Sequence, residues 1–220
     1  MTKQITLSIL TWLLISVTAL TILFYIIPVS APPPPTTRRV PQDYLSIQAA
    51  IDDSRAGDII LVSPGIYYEN VVVNKAVKLM GVNKDTTIID GKGSGNVIKV
   101  VVSTVTITGF TIRNGNNGIR VDPSTDPDIG NINITGNIIK NNRYGVSLSA
   151  DYPATTANNI ISLNTFQNNS NVGISISFGL SNTISKNDIS ESAYGMKLSL
   201  TNTTTISNNV LKSNSYGIWM

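Results

Sequence analysis

Five consecutive segments between residues 104 and 220 repeat one pattern of apolar residues, asparagine and glycine. Each segment begins with an isoleucine that is followed by threonine or serine, and these isoleucines are Ile107, Ile134, Ile161, Ile184 and Ile206. In the last four segments an asparagine follows three positions later, at Asn137, Asn164, Asn187 and Asn209. Each segment then has a glycine before an apolar pair, and these glycines are Gly118, Gly145, Gly173, Gly195 and Gly217. They lie 27, 28, 22 and 22 residues apart, so the basic unit has 22 residues.

Apolar and polar residues alternate within each unit in short runs that end at asparagine or glycine. This pattern is typical of three short β-strands joined by turns. A unit this short cannot bury its own apolar face, but a stack of such units can. The sequence therefore predicts an all-β fold, a right-handed parallel β-helix, with the isoleucines in one buried file and the asparagines in a second file at a turn. Disorder is the alternative for a chain so rich in asparagine, but disorder does not explain the regular apolar positions.

Composition excludes several classes of function. The net charge of +3 comes from Lys3, Arg38 and Arg39, and the 13 basic residues after residue 40 balance the 13 acidic ones. The body therefore has no excess of positive charge for binding nucleic acid. The chain has no histidine and no cysteine, which excludes disulfides, thiol nucleophiles, imidazole metal sites and every catalytic arrangement built on histidine.

Residues 5–27 are uncharged and mostly apolar, and a helix of this length spans about 34 Å, enough to cross a bilayer. We expect them to form an uncleaved transmembrane signal anchor, with residues 1–4 as a cytoplasmic tip. Cleavage after Ala31 and secretion of the body is the alternative. Residues 28–40 contain four consecutive prolines and predict an extended linker. Because large domains cross the membrane largely regardless of the charges that flank the anchor, the body over residues 41–220 is expected outside the cytoplasm.

Three short motifs precede the repeats, and they are Gly65-Ile66-Tyr67-Tyr68-Glu69, Leu79-Met80-Gly81 and Thr87-Ile88-Ile89-Asp90-Gly91. Before them, the spacing of Tyr44, Ile47, Ile51 and Ser54 predicts a short helix, assigned to residues 41–57, that ends at Gly57. With the repeats, these residues resemble pectin-lyase-like β-helix proteins, which include pectin methylesterases and NosD-type periplasmic repeat proteins. The resemblance implies a parallel β-helix with a capping helix over its first coil. It also implies structural roles for Gly65, Tyr67 and Glu69.

The same resemblance does not supply catalytic or metal-binding residues. The paired-aspartate motifs of the methylesterases and the histidine motif of polygalacturonases are absent. Pectate lyases use an arginine base beside calcium bound by aspartate, but no lyase motif surrounds Arg113, Arg120 or Arg143. NosD-type proteins are associated with copper-site maturation, yet methionine is the one soft ligand type in this chain. We therefore assign no catalytic residue, and the sequence favours a protein that is not an enzyme.

Two insertions after equivalent strands lengthen the first two repeats. They span residues 122–130 and 149–157, and their acidic residues are Asp122, Asp126, Asp128 and Asp151. Since adjacent coils place the insertions side by side, the carboxylates predict a calcium or sugar-binding pair of loops, and calcium is the cofactor candidate. The alternative is two solvated loops in which Asp-Pro pairs begin turns.

Aromatic residues precede the repeated glycine in three units, at Tyr144, Tyr194 and Tyr216, with Val172 between the first two. Such a file serves either as packing at a turn or as a platform for sugar rings. Three N-x-S/T sequons, at Asn133, Asn168 and Asn202, fit a glycosylated exterior, or they are accidental in so asparagine-rich a chain.

The last repeat ends on an apolar strand at Met220, so we expect missing coils or a partner at this end. Taken together, the sequence predicts a membrane-anchored, extracytoplasmic β-helix protein that binds or presents polysaccharide without catalysis. The alternative function is a divergent or truncated polysaccharide lyase or esterase. The alternative location is secretion after signal cleavage.

Overall fold

Three parallel β-sheets run along the length of the solenoid, and each complete coil contributes one strand to each of them. The computed structural model describes residues 33–124, 127–149 and 154–220. The eight strands of the first sheet, in order, are β1 (Thr37–Val40), β2 (Ile59–Val62), β5 (Lys78–Gly81), β8 (Thr106–Thr108), β11 (Asn133–Thr135), β15 (Ile160–Ser162), β19 (Thr183–Ser185) and β22 (Thr205–Ser207). The predicted all-β solenoid of parallel coils is confirmed.

The other two sheets have seven strands each. The second sheet contains β3 (Gly65–Tyr67), β6 (Thr87–Asp90), β9 (Thr111–Arg113), β12 (Ile138–Lys140), β16 (Thr165–Gln167), β20 (Asp188–Ser190) and β23 (Val210–Lys212). The third sheet contains β4 (Val71–Val73), β7 (Asn96–Val100), β10 (Asn117–Val121), β13 (Tyr144–Ser149), β17 (Val172–Ser177), β21 (Tyr194–Ser199) and β24 (Tyr216–Trp219). A small additional sheet pairs β14 (Thr156–Ala157) with β18 (Gly179–Leu180) at the corner after the third sheet.

The isoleucine file lies in the first sheet as expected. Strand register places its members directly above one another, in the order Ile107, Ile134, Ile161, Ile184 and Ile206. The first four are buried in the hydrophobic core, and Ile206 is half-buried. The file also continues toward the N-terminus through Leu79. Burial of this repeated apolar stripe is what a single unit cannot achieve and a stack can.

The asparagine file forms a ladder of side-chain hydrogen bonds at the turn between the first and second sheets. The Nδ2 of Asn137 donates to Oδ1 of Asn164 at 3.1 Å, and Asn164 donates to Asn187 at the same distance. Asn187 donates to Asn209 at 2.9 Å. Similar bonds join Asn142 to Asn169. These amides pair with each other and with backbone groups that would otherwise be buried without partners.

The repeated glycine is required for close packing between coils. A Cβ atom on Gly145 would lie 2.5 Å from the carbonyl oxygen of Gly173, and one on Gly173 would lie 2.6 Å from that of Gly195. These glycines do not have positive φ angles. Instead, the left-handed conformation is adopted at turns by residues such as Asn114 and Asn141, which tolerate it better than most.

The capping helix is shorter than the 41–57 segment that the sequence predicted. Helix α1 (Ile47–Asp52) begins after the N-cap Ser46, whose side chain accepts a hydrogen bond from the Ala49 N–H, and it ends before Gly57. Its buried residues, Ile47, Ala50 and Ile51, pack against β1, β2 and β4 and cover the apolar end of the first coil.

The solenoid begins at Thr37, inside the segment that the sequence predicted to be a linker. Arg38 fixes this first strand, because its guanidinium pairs with Asp53 at 3.1 Å and with Asp58 at 2.6 Å. The predicted membrane anchor, residues 5–27, lies outside the described residues. No helix within the part of the chain that the structure describes is long and apolar enough to span a membrane.

Candidate functional site

The outward face of the third sheet carries a file of mostly polar side chains. On each strand, the residue between the two inward-facing apolar residues points away from the core. Strand register aligns these residues in the order Lys99, Arg120, Ser147, Ser175, Lys197 and Trp219. Four of them, Arg120 to Lys197, line a groove with a volume of about 460 Å³.

Two further files form the sides of this groove. One side consists of the aligned residues Asn117, Tyr144 and Val172, and the other consists of Ser149, Ser177 and Ser199. Among the described residues, those that line the groove include two cations and several hydroxyl and amide groups, but no carboxylate. The groove is therefore locally positive, although the body as a whole has no net charge.

Arg120 lies along the floor of the groove toward the next coil. Its Nη1 donates to the Ser147 Oγ at 3.0 Å, and its Nη2 donates to the carbonyl oxygen of Ser149 at 3.4 Å. These two contacts hold the planar guanidinium in place. A guanidinium has five N–H donors, so the group can also bind an anion in the groove.

Lys197 lies at the other end of the groove, between two aromatic rings. Its Nζ is 4.7 Å from the centre of the Trp219 ring and 5.8 Å from that of Tyr194. Tyr194 in turn stacks on Tyr216 with 5.0 Å between ring centres. The predicted aromatic file is thus confirmed, including its interruption by Val172. Cation–π contacts orient the lysine without neutralising its charge.

The predicted calcium-binding loops are described only in part, because Asp126 and Asp151 lie outside the described residues. The pairing of Val121 with Leu148 places Asp122 and Ser149 at equivalent positions, as the sequence predicted. Asp128 accepts a hydrogen bond from Thr155 Oγ1 at 3.2 Å. In residues 33–124, 127–149 and 154–220, no three acidic side chains are grouped so that they could hold a metal ion. The calcium site stays a prediction.

Asp122 has a partner that the sequence did not indicate. Its Oδ2 lies 2.8 Å from the Lys99 Nζ, and its Oδ1 accepts from the Ser124 N–H at 3.1 Å. Burial acts to raise the pKa of Asp122, but these two contacts outweigh burial and hold the pKa below its ordinary value. The carboxylate is therefore ionised at neutral pH and bound to a lysine of the preceding coil.

The sequence analysis missed the groove because it considered the two apolar residues of each pair and not the residue between them. The signal is the single residue inside each pair, at Arg120, Ser147, Ser175 and Lys197. In a strand with period-two alternation, that residue must face outward, and stacked coils place all of these residues in one line.

The three sequons differ in accessibility. Asn133 is half-buried in strand β11, and its Oδ1 is buried without a hydrogen-bond partner. Asn168 and Asn202 are exposed at corners between strands.

The fold and the groove define a parallel β-helix protein with a polar, cationic groove on the outward face of one sheet. Residues 51–220 match the family model described as periplasmic copper-binding protein (NosD), so the chain belongs to the NosD family.

The chain is also similar to a curated protein and to two solved structures. A cell surface glycoprotein of Methanothermus fervidus is 38% identical over 91 residues, which are 40% of this chain and 15% of the glycoprotein. The A-module of the Azotobacter vinelandii mannuronan C-5 epimerase AlgE6 has a TM-score of 0.63 at 20% identity, covering 76% of this chain and 51% of that one. An alginate lyase from Paenibacillus sp. str. FPU-7 has a TM-score of 0.54 at 15% identity, covering 81% and 75%. The two structures share the fold.

The residues of this chain do not fit the copper site that the family description implies. Histidine and cysteine, the usual strong copper ligands, do not occur in the sequence. Met80 lies on the first sheet, whereas Met196 is buried in the core beneath the third sheet. These methionines therefore cannot converge on one ion, and we derive no copper chemistry for this chain.

Proposed function

We propose that the groove on the third sheet binds an acidic polysaccharide outside the cytoplasm, and that this chain binds the polysaccharide without cleaving it. The observation that carries the proposal is the placement of Arg120 and Lys197 in one groove that has serine hydroxyl groups on its floor and one tyrosine, Tyr144, on its side. A cation binds a sugar carboxylate through charge-assisted hydrogen bonds. Serine and asparagine side chains can bind sugar hydroxyls, and an aromatic side chain can stack on a sugar ring.

The comparisons support both the ligand class and the location. The two structural neighbours are named for mannuronan and alginate, which are acidic polysaccharides, and they have this fold. The family is described as periplasmic, and the curated relative is described as a cell surface protein. The described residues of the groove lining include no carboxylate, and the sequence contains no histidine, so this lining lacks the commonest general bases, which favours binding over catalysis.

Titration calorimetry with the full chain in detergent tests this function. We expect polymannuronate or polyguluronate to bind and neutral dextran not to bind, with an affinity that falls as salt is added. Arg120→Gln should weaken binding by about tenfold or more, because it removes charged hydrogen bonds to the ligand. Lys140→Gln, which removes a positive charge from the second sheet, is the control and should leave the affinity unchanged.

Two results would contradict the proposal. Equal binding of dextran and polyuronate would show that the cations do not select the ligand. Unsaturated sugars with new reducing ends after prolonged incubation, if lost in Arg120→Gln, would show that the chain instead cleaves the polysaccharide, as expected of a lyase, which with an esterase is the alternative function.

The proposed location includes a membrane anchor at residues 5–27, supported by their length and lack of charge. The full chain should remain in the membrane fraction after extraction with alkaline carbonate. Recovery of a soluble body that begins at Pro32 would instead support secretion after cleavage.

A further inference from the structure

We propose that the ligand lies along the axis of the solenoid over four coils, from Arg120 to Lys197, and that the Lys99–Asp122 ion pair closes the site at its N-terminal end. This inference rests on the proposed function, because it concerns the same groove. It adds the direction in which the ligand lies and the shortest ligand that contacts both Arg120 and Lys197. It also names a residue, Asp122, that keeps a longer ligand from binding Lys99.

The repetition of the floor residues supports the axial direction. Arg120, Ser147, Ser175 and Lys197 come from four successive coils, and three steps of about 4.8 Å separate the first from the last by about 14 Å. Tyr144 and Val172 stand along one side of the floor, so the groove is open along its length rather than across it. A linear polymer with sugar units about as long as one strand spacing can place successive units on successive coils.

The charges lie at the two ends of this span, and serines lie between them. A short acidic oligosaccharide can reach Arg120 or Lys197, but not both. An oligosaccharide that covers all four coils reaches both, and the second contact then forms intramolecularly at a high effective concentration. Affinity should therefore rise sharply at the length that spans the four coils.

The line of residues that forms the groove floor continues to a further cation, Lys99, to which the ligand does not bind. Lys99 lies one coil before Arg120, and its Nζ is bound to Asp122 Oδ2 at 2.8 Å. The Ser124 N–H also holds the Asp122 carboxylate in place. A sugar carboxylate that approaches Lys99 meets this negative charge first. Asp122 thereby confines the ligand to the four coils that follow.

A series of uronate oligosaccharides from two to six residues tests the length. With the full chain in detergent, we expect the affinity to rise by about tenfold or more between two and four residues and to change little from four to six. Arg120→Gln and Lys197→Gln should each weaken binding of the tetramer and abolish this rise.

Removal of the closing carboxylate should extend the site. We expect Asp122→Asn to raise the affinity for the five-residue ligand several-fold while changing that for the dimer little, because Lys99 becomes free. The matched control is Asp188→Asn, which removes the same charge from the ion pair of Asp188 and Lys212 on the second sheet, 2.9 Å long. In the double variant Asp122→Asn/Lys99→Gln, the gain should disappear.

The outcomes separate this inference from the proposed function. If no oligosaccharide or polymer binds, both are wrong. If the polymer binds and Arg120→Gln weakens it, but dimer and tetramer bind equally, the function stands and the axial span is wrong. If Asp122→Asn and Asp188→Asn raise the affinity for the longer ligand equally, the gain reflects overall charge, and Asp122 does not close the site.

Discussion

Buried asparagine side chains join one coil to the next at the turns. The Oδ1 of Asn164 accepts from the backbone N–H of Asn137 at 3.0 Å and from its Nδ2 at 3.1 Å. The Nδ2 of Asn164 also donates to the carbonyl oxygen of Ile134 at 2.9 Å. Because Asn164 is almost fully buried, water cannot replace these bonds.

We expect Asn164→Ala to lower the free energy of unfolding by about 2–5 kcal/mol, since two or three buried polar groups lose their partners at about 1–3 kcal/mol each. Urea unfolding followed by circular dichroism measures this change. Asn116→Ala, at an exposed position, should stay within about 0.5 kcal/mol of the unmodified chain. Equal effects of the two substitutions would show that the ladder does not stabilise the stack.

Asp58 makes stability depend on pH. The Thr36 N–H bonds its carboxylate at 2.7 Å, and together with the Arg55 N–H and the Arg38 guanidinium it outweighs burial, so the pKa of Asp58 lies below its ordinary value of 3.8. A lowered pKa in the folded state contributes stability above the unfolded value of 3.8, and this stability is lost as the pH falls through the folded value.

Asp58→Asn should therefore destabilise the chain at neutral pH and by less in acid, so that its stability falls less steeply as the pH is lowered below 3.8. Thermal unfolding across this range is the measurement. Asp85→Asn, at an exposed aspartate, should keep the slope of the unmodified chain. A slope unchanged in Asp58→Asn would contradict the role of this carboxylate.

At the scale of elements, the capping helix depends on a residue that lies far from it in sequence. The two carboxylate oxygens of Glu69 accept from the N–H groups of Ile47 and Gln48, at 3.0 and 3.1 Å. These are N–H groups of the first helical turn, which have no partner within the helix. The negative charge also stabilises the helix through its dipole. This contact gives Glu69 the structural role that the resemblance implied.

Glu69→Gln should release the start of helix α1, because an amide offers one acceptor oxygen where the carboxylate offers two. We expect the amide protons of Ile47 and Gln48 to exchange about tenfold faster or more, from a loss of about 1.5–3 kcal/mol. Glu191→Gln, at the other glutamate of the chain, is the control and should leave both protons unchanged. Protection that survives in Glu69→Gln would mean that apolar packing alone holds the helix.

The elements also show what the sequence could and could not predict. The isoleucines from Ile107 to Ile206 recur once in each repeat and mark which residues face the core. The strands and the buried rows of side chains could therefore be predicted. The length of helix α1 was not, because its partners Glu69 and β4 are distant in sequence. The groove was not predicted either, because the residues of its floor change from arginine to serine to lysine along the stack, and no residue type repeats from the first coil to the last. In the sequence, these residues share a position within each repeat and not a residue type.

At the scale of the whole molecule, each coil contacts only its neighbours, so a defect in one coil weakens the stack locally. Ile161 lies between Ile134 and Ile184 in the core, and a carboxylate there would be buried without a partner. Ser162, the next residue, faces outward on the same strand.

Ile161→Asp should unfold the neighbouring coils, with a loss of more than about 4 kcal/mol, whereas Ser162→Asp should cost less than about 1 kcal/mol. Circular dichroism measures the overall loss of strand structure. Hydrogen exchange should show that amide protection falls most in β11, β15 and β19 and least in the coil capped by helix α1. If Ile161→Asp and Ser162→Asp were equally stable, residue 161 would not lie in a dry core. If protection in Ile161→Asp instead fell equally in every coil, the solenoid would unfold as one cooperative unit rather than coil by coil.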